Sequence, residues 1–508
     1  MIDGHGWGCW RGHIRGAGDL GPAGQGERLS GKGSDTPLTP SPNVVHPGTR
    51  IRLPFVQARR GNLSHAGTVS IDVQTGLQAN RKSTQRERLI AGMIAAAHRC
   101  GYDGANVSQV IAEAGVSRPT FYEYFKDKDD CFVATHREVS RLLVWEIRRV
   151  VEAQPPELAA QTSIRALIRL SEEFPDRAGF LCNEAMAAGR RGLDEHDRLI
   201  DKLGHVVDEA RARTPADIPT PDLPVQVVFG AGRWLLDPPL RRGEHDLSAL
   251  ADEFVRWAEM YEMPTGEHRW HAPRPGPELT PSPFVSEISL HPPPAIRPGR
   301  SKLSKSEIAR NQHERILYAT AEQAAAKGYN VTTVADITAS AQVHRRVFYK
   351  HFRDKQQAFL AVHELGVQQL MTLSASAFFS RGEWPERVWA AMRAGTQFQA
   401  THPIVTHISL VESHAVGASA IQRIDDNRAA FTIFLQEGNL QAGQPASSTI
   451  MEAIAGAAFE ICYRVARRGE SAQMSRLTHS GAFIVLAPFM GPAAANAFID
   501  GKLREELA

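Results

Sequence analysis

The stretch RPTFYEYFKDKDDCF from Arg118 to Phe132 returns as RRVFYKHFRDKQQAF from Arg345 to Phe359, 227 residues later. Laid side by side without a gap, Gln85 to Phe132 and Gln312 to Phe359 agree at 17 of 48 positions. Gln85-x-Glu87-Arg88 matches Gln312-x-Glu314-Arg315, and Gly101-Tyr102 matches Gly328-Tyr329. Phe121-Tyr122-x-x-Phe125-x-Asp127-Lys128 matches Phe348-Tyr349-x-x-Phe352-x-Asp354-Lys355. Far downstream, Gly230-Ala231 returns as Gly456-Ala457 and Arg241-Arg242-Gly243-Glu244 as Arg467-Arg468-Gly469-Glu470, both at an offset of 226. An offset held within one residue across so long a span marks the duplication of a whole protein, so the fold of one half must also serve the other.

Helical periodicity runs from Arg81 to about Tyr261 and from about Ser304 to the C terminus. Ten prolines between Pro264 and Pro298, including the run Pro292-Pro293-Pro294, exclude a helix or central strand there and mark a linker. Residues 1–80 are rich in Gly, Pro and Ser without a period and read as a disordered head. Their one GxGxxG, Gly16 to Gly21, follows no strand and opens no helix, which removes a dinucleotide reading. No Met lies between Met1 and Met93, a spacing compatible with a native start inside the chain. The expected architecture is all-α: a head (1–80), a first three-helix domain (81–132) with a helical domain behind it (133–263), the linker (264–303), a second three-helix domain (304–359) and a second helical domain (360–508).

Net charge is only +2, so any basic function has to be local. Arg81 to Lys128 holds eight basic and five acidic residues, and Arg300 to Lys355 eleven and five, local balances of +3 and +6. Five scattered cysteines (Cys9, Cys100, Cys131, Cys182, Cys462) without CxxC spacing argue against a disulfide framework and a zinc site, and suit a reducing cytoplasm. The uncharged run Ser480 to Ile499 is broken by Pro488, Gly491 and Pro492 and reads as a buried helix followed by a packed tail, with no membrane partner. His402, His407 and His414 lie among apolar residues and read as ordinary histidines in place of a metal site. No P-loop, nucleophile elbow or HExxH is present, so an enzyme is the remote reading and no cofactor is called for.

Within the first block, Thr84-x-x-Glu87 reads as a capping box opening a helix that ends at Gly101. Asn106 caps a short second helix with Val107, Val110 and Ile111 facing inward. Ala114-Gly115-Val116-Ser117 is a tight turn in which Gly takes a positive φ and Ser caps the next helix, with Pro119 in its first turn. Phe121 and Phe125 point to the core, which distributes Arg118, Thr120, Tyr122, Glu123 and Tyr124 over the outer face. Asp127 caps the following helix and Lys128 stands at its positive end, a conflict that a nearby phosphate removes.

The pattern G-Y-x(4)-V-x-x-[VI]-x-A-x-A-x-V-x-R-x-x-F-Y-x-x-F-x-D-K, present in both copies, resembles the helix-turn-helix of the tetracycline-repressor (TetR) family of transcriptional regulators. The resemblance covers about 50 residues per copy. It implies a helical C-terminal domain that takes a small ligand and dimerises through its last two helices. It implies phosphate contacts from Tyr122, Lys128, Tyr349 and Lys355, and from Asn106 and Thr333 at the start of helix two. It further implies that Arg118 and Thr120, or Arg345 and Arg346, face bases in the major groove, beside the turn residues Ser117 and His344. Copy two departs from the pattern at its turn, Ala341-Gln342-Val343-His344, where Gln replaces Gly and His replaces the capping Ser.

The expected function is a DNA-binding regulator, a ligand-responsive repressor at the nucleoid in which the two copies pair within one chain. Its partners would be double-stranded DNA, a small-molecule effector and, beyond the internal pseudo-dimer, further copies of the chain. Residues of about 225–262 and 450–487 would form a four-helix contact, and the differences Glu123 against Lys350 and Pro119 against Arg346 would select an asymmetric operator. The alternative is that one copy reads DNA and the other is only a structural partner. Aromatic candidates for an effector pocket are Phe378, Phe379, Trp384, Trp389, Phe398, Phe431, Phe434, Phe459 and Tyr463. The basic residues Arg81, Lys82, Arg86 and Arg88, and Arg300, Lys302, Lys305 and Arg310, read first as solubilising, in a position near helix one that also allows minor-groove contact, and Arg-Arg-Gly-Glu reads as a solvated turn.

Overall fold

The computed structural model describes residues 73–244, 246–270, 282–283, 292–296, 303–380, 382–443 and 445–507. The first copy contributes α1 (Val73–Gly104), α2 (Val107–Ala114), α3 (Arg118–Tyr124) and α4 (Lys128–Glu152). Behind them come α5 (Ala159–Glu173), α6 (Pro175–Gly179), α7 (Ala185–Ala187), α8 (Gly189–Arg211), α9 (Val225–Arg242) and α10 (Ser248–Glu259). The second copy repeats the first motif as α11 (Lys305–Lys327), α12 (Val334–Ser340), α13 (Arg345–His351) and α14 (Lys355–Phe378). It continues with α15 (Trp384–Thr401), α16 (Pro403–Leu410), α17 (Ala418–Phe431), α18 (Gln436–Gln441), α19 (Ser448–Arg467), α20 (Thr478–Met490) and α21 (Pro492–Leu507).

The all-α expectation holds, with one addition. Pro219–Pro221 (β1) pairs antiparallel with Glu262–Pro264 (β2), Thr220 opposite Met263. Thr84 does not start a helix, because α1 already begins at Val73 and no proline interrupts 73–84. The head expected over 1–80 lies outside the described residues except for the start of α1, and so does most of the linker. Its described Pro293 and Pro294 accept hydrogen bonds from Arg315 and Asn311 of α11. The apolar run 480–499 divides between α20, which is buried, and α21; no helix among the described residues is long and apolar enough to cross a membrane.

Local chemistry builds the two three-helix motifs alike. Asn106 and Thr333 each form a capping box, with Gln109 and Asp336, and Asp127 and Asp354 cap α4 and α14. Phe121, Phe125, Phe348 and Phe352 are buried, which closes each motif around its aromatic pair. The turn after helix two needs a left-handed residue: Gly115 has φ 59° and, at the equivalent position, Gln342 has φ 52°. A side chain there is strained by about 1 kcal/mol. Gln342→Gly should therefore raise stability by about 0.5–1 kcal/mol, read as a shift in the urea midpoint; an unchanged or lowered midpoint would oppose this account of the turn.

The C-terminal halves share one hydrophobic core, in which Phe254, Trp257 and Tyr261 of copy one pack with Ile454, Phe483 and Ile484 of copy two. Tyr261 Oη donates to the carbonyl of Ile484 at 2.7 Å. The contact between α9 and α19 is isologous. A Cβ on Gly230 would lie 2.2 Å from Glu460 Cγ, and one on Gly456 would lie 3.0 Å from Trp234 Cβ. Gly230 with Gly456, and Trp234 with Glu460, are the same pair of positions seen from each copy. The arginines of the repeated Arg-Arg-Gly-Glu obey the same symmetry. Arg241 pairs with Asp425 at 2.6 Å, and Arg467 with Asp197 at 3.3 Å as well as with Asp194. The expectation of a merely solvated turn is thus corrected: Gly243 and Gly469 do turn the chain, but the first arginine of each motif crosses to the other copy.

Glu460 is fully buried on this contact, and burial pushes its carboxyl up to about 7 despite Arg233 and Arg464 nearby. The folded state then binds more protons than the unfolded one between about pH 4.5 and 7, so this residue costs stability as pH rises through that window. The difference in melting temperature between Glu460→Gln and the parent should move in the variant's favour from about pH 5 to pH 8. A difference that stays flat would contradict the assignment.

Candidate nucleic-acid interface

The third helix of each motif divides its faces as the aromatic spacing requires. Phe121 and Phe348 are completely buried, while the adjacent Tyr122 and Tyr349 are 52% and 47% exposed. Each tyrosine ring meets the inner phenylalanine edge-on, at 5.3 and 5.4 Å, which fixes it without covering it. The exposed face around them carries Arg118 in copy one and Arg345, Arg346 and Lys350 in copy two. Arg118 donates to Ser108 Oγ of α2 at 2.8 Å, and Arg345 to Tyr349 Oη at 3.2 Å. Ser117 is exposed and caps α3 through the N–H of Thr120, whose hydroxyl it meets at 2.8 Å. His344 is exposed and makes no side-chain cap. The sequence therefore brings Ser117, Arg118, Thr120 and Tyr122 to one helix end, and His344, Arg345, Arg346 and Tyr349 to the other.

The lysines are placed differently from what the dipole argument anticipated. Lys128 Nζ donates to the carbonyl of Tyr102 at 3.0 Å and lies 3.8 Å from that ring's centroid. Lys355 Nζ meets the carbonyls of Tyr329 (2.9 Å), Asn330 (3.3 Å) and Thr332 (2.9 Å) and lies 4.3 Å from the Tyr329 ring. Each ammonium thus bridges back to the chain just after Gly101 or Gly328, where carbonyls and a π face stabilise it. All three donors of Lys355 are engaged. The hydroxyl of Thr333 is likewise committed to Asp336 (2.6 Å), while Asn106 uses its side-chain oxygen on the N–H of Gln109 (3.1 Å).

Two further pairs of equivalent residues hold each motif together. Arg88 donates to the carbonyl of Gly115 at 2.6 Å and Arg315 to that of Ala341 at 2.8 Å, so these arginines lock the turns and do not belong to a free basic arm. Their signal was the shared Gln-x-Glu-Arg, which charge counting alone could not interpret. Glu184 and Glu412 each accept the N–H of the tyrosine that follows Gly101 or Gly328; for Tyr329 the distance is 2.7 Å. A carboxylate of each C-terminal domain thereby grips the end of its own helix one. Glu184 ends a single π-helical turn, Phe180–Glu184, and burial raises its carboxyl to about 7. Copy two is also held from across the chain, since Arg190 of α8 donates to the carbonyl of Ala326 at 2.7 Å and Asn330 to that of Ala187 at 3.2 Å.

His402 is buried against Phe398, His407 lies 3.4 Å from Glu412, and His414 is buried beside Trp234. No cluster with metal-ligand composition occurs among the described residues.

Fold and surface define an all-helical protein with two helix-turn-helix modules on one chain. The family model of bacterial regulatory proteins of the tetR family matches residues 93–135 and again 316–362. The chain thus carries two stretches that match the N-terminal module of that family, one in each copy. The HTH-type transcriptional regulator RutR of Escherichia coli K12 is 23% identical over 138 residues, 27% of this chain and 64% of the relative. The HTH-type transcriptional regulator BetI of Cronobacter sakazakii is 32% identical over 93 residues, 18% of this chain and 44% of the relative. The chain thus spans less than two thirds of the length of these relatives. A crystal structure of a tetR-family regulatory protein from Rhodococcus RHA1 aligns at TM-score 0.27 and 20% identity, covering 38% of this chain and 96% of that one.

Proposed function

We propose that the chain is a sequence-specific transcriptional regulator that grips double-stranded DNA with both modules, as a pseudo-dimer folded from one polypeptide. The observation that carries this reading is the matched exposure of Tyr122 and Tyr349 beside buried phenylalanines, since an aromatic kept out of the core twice at the same place serves a partner. Arg118, Thr120, Arg345 and Arg346 face the bases, with Ser117 and His344 at the helix starts. Tyr122, Tyr349, Asn106 and Lys128 meet phosphates. Lys355 and Thr333, whose donors are already engaged, act by holding the loop and helix start that present the N terminus of α12.

The isologous α9–α19 contact supports pairing within the chain, the equivalent of the two-chain dimer by which such modules are spaced about 34–36 Å apart. Glu184 and Glu412 are the links through which an effector would act on the readers: a ligand that shifts the C-terminal helices moves the end of helix one. Repression follows if the ligand-bound form is the weaker binder. A second reading, in which copy two is only a structural partner, is favoured by the strained Gln342 and by the cross-chain hold of Arg190 on α11.

Selection of duplexes from a random pool tests both. The expected result is an asymmetric consensus bound with a steep salt dependence, affinity falling about 10³- to 10⁵-fold between roughly 50 and 200 mM salt. A palindromic consensus would count against two unlike readers, and a single half-site would establish the second reading.

A further inference from the structure

A cavity of about 180 Å³ lies inside the C-terminal domain of copy two. Its walls come from α14 through α17, from Phe434 just after α17, and from α19 and α20, and Trp234 of copy one completes them across the contact between the halves. Positions equivalent by the repeat explain why it exists here. Ala455 stands where copy one has Phe229 (offset 226, as for Gly456 and Gly230). Gly366 stands where it has Val139 (offset 227, as for Lys355 and Lys128), and Gly395 where it has Leu167 (offset 228, as for Glu412 and Glu184). Phe229 and Val139 are buried in the core of copy one, and Leu167 packs against it. The ring of Phe229 takes up space in copy one that Ala455 leaves open in copy two, whereas beside Gly366 the room is already taken by Val405, whose Cγ1 would lie 2.2 Å from a Cβ there.

The lining decides what fits. No Asp, Glu or Lys contributes to it, and Arg428, which does, is engaged already: it lies 3.5 Å from Asp425 and donates to the carbonyl of Trp234 at 3.0 Å. His363 is buried and its pKa is pushed down to about 4, so it is uncharged near pH 7. An ion entering this space would lose its hydration without gaining a counter-charge. Ser409 Oγ, by contrast, is a buried hydroxyl without a hydrogen-bond partner among the described residues. The volume is similar to that of an apolar protein cavity of about 150 Å³ that takes up benzene.

We propose that copy two alone holds an effector site, taking one neutral ring compound per chain that carries a single hydroxyl or carbonyl group for Ser409. This rests on reading the chain as a ligand-responsive regulator and goes beyond it by assigning one site, one half and one chemical class. The occupant touches α14, which begins immediately after the second reader, and Trp234, which belongs to the contact between halves. Its effect falls first on the second reader, so an effector weakens one half-site more than the other.

The test is calorimetric titration of the full chain, without DNA, using 1-naphthol and its anionic counterpart 1-naphthoate. The expected result is saturation by 1-naphthol at one equivalent per chain, with 1-naphthoate weaker by about tenfold or more. Ala455→Phe, which gives copy two the side chain copy one tolerates, should weaken 1-naphthol by at least about tenfold. The smaller Ser409→Ala should weaken it severalfold while leaving the melting temperature unchanged. Two equivalents per chain, no uptake of 1-naphthol, equal affinity for the anion, or insensitivity of a folded variant to either substitution would overturn the proposal. Because DNA is absent from the titration and DNA affinity is read separately by anisotropy, failure here is distinct from failure of DNA binding.

Discussion

Replacing Tyr122 and Tyr349 together with alanine should lower affinity for the selected duplex by roughly 10²- to 10⁴-fold while leaving the fold intact. A hydrogen bond to a charged group contributes about 1.5–3 kcal/mol, so two phosphate contacts contribute about 3–6 kcal/mol. Both rings are about half exposed, and what the fold loses is the edge contact with Phe121 or Phe348, about 0.5–1.5 kcal/mol at each site. Tyr→Phe at the same positions keeps the edge contact and removes only the hydroxyl, so it should reproduce most of the binding loss and almost none of the stability loss. Binding is measured by anisotropy at fixed salt and stability by urea unfolding. Double variants that bind as the parent does would dispose of the tyrosine contacts, and a loss confined to one tyrosine would favour the single-reader alternative.

The second large effect is at the contact between the halves. A Cβ on Gly230 would meet Glu460 Cγ at 2.2 Å, on a side chain that is itself buried, whereas the closest approach at Gly456 is 3.0 Å to Trp234. Overpacking of this kind costs about 1–3 kcal/mol and occasionally more, against a gain of about 1 kcal/mol from replacing a helical glycine. Gly230→Leu should lie at or beyond the upper end of that range, and Gly456→Ala below it, as read from urea midpoints. Gly230→Leu should also weaken DNA binding, because in the proposed pseudo-dimer this contact sets the spacing of the two modules. A Gly230→Leu chain as stable as the parent would mean that the halves do not pack through α9 and α19.

What the sequence disclosed, and what it did not, divides by the reach of the interaction. Caps, turns and inward phenylalanines are decided within a few residues, so Asn106, Gly115, Ser117, Asp127 and the four core aromatics were readable in advance. The roles of Lys128 and Lys355 were not, because the carbonyls they bridge to lie 26 residues away at Tyr102 and Tyr329. Glu184 and Glu412 act 82 and 83 residues from their tyrosines, and no local pattern marks them. The repeat itself carried more than its motifs. Gly230 and Gly456 were paired in the sequence by offset alone, and the structure gives the physical reason, since each makes room for the other copy's bulky side chain. Among the aromatic residues considered for a pocket, Phe398, Phe431, Phe434 and Phe459 line the cavity, whereas Phe378, Trp384, Trp389 and Tyr463 pack in the core without lining it and Phe379 is 58% exposed. Hydrophobicity ranks them alike; only the small residues opposite them separate pocket from core.

That one polypeptide supplies both readers is tested most directly by the mass of the complex. Native mass spectrometry of the full chain on its selected duplex should give one chain per duplex, with footprinting that protects two unlike half-sites about one helical turn apart. Two chains on one duplex, or one chain protecting a single half-site, would contradict it.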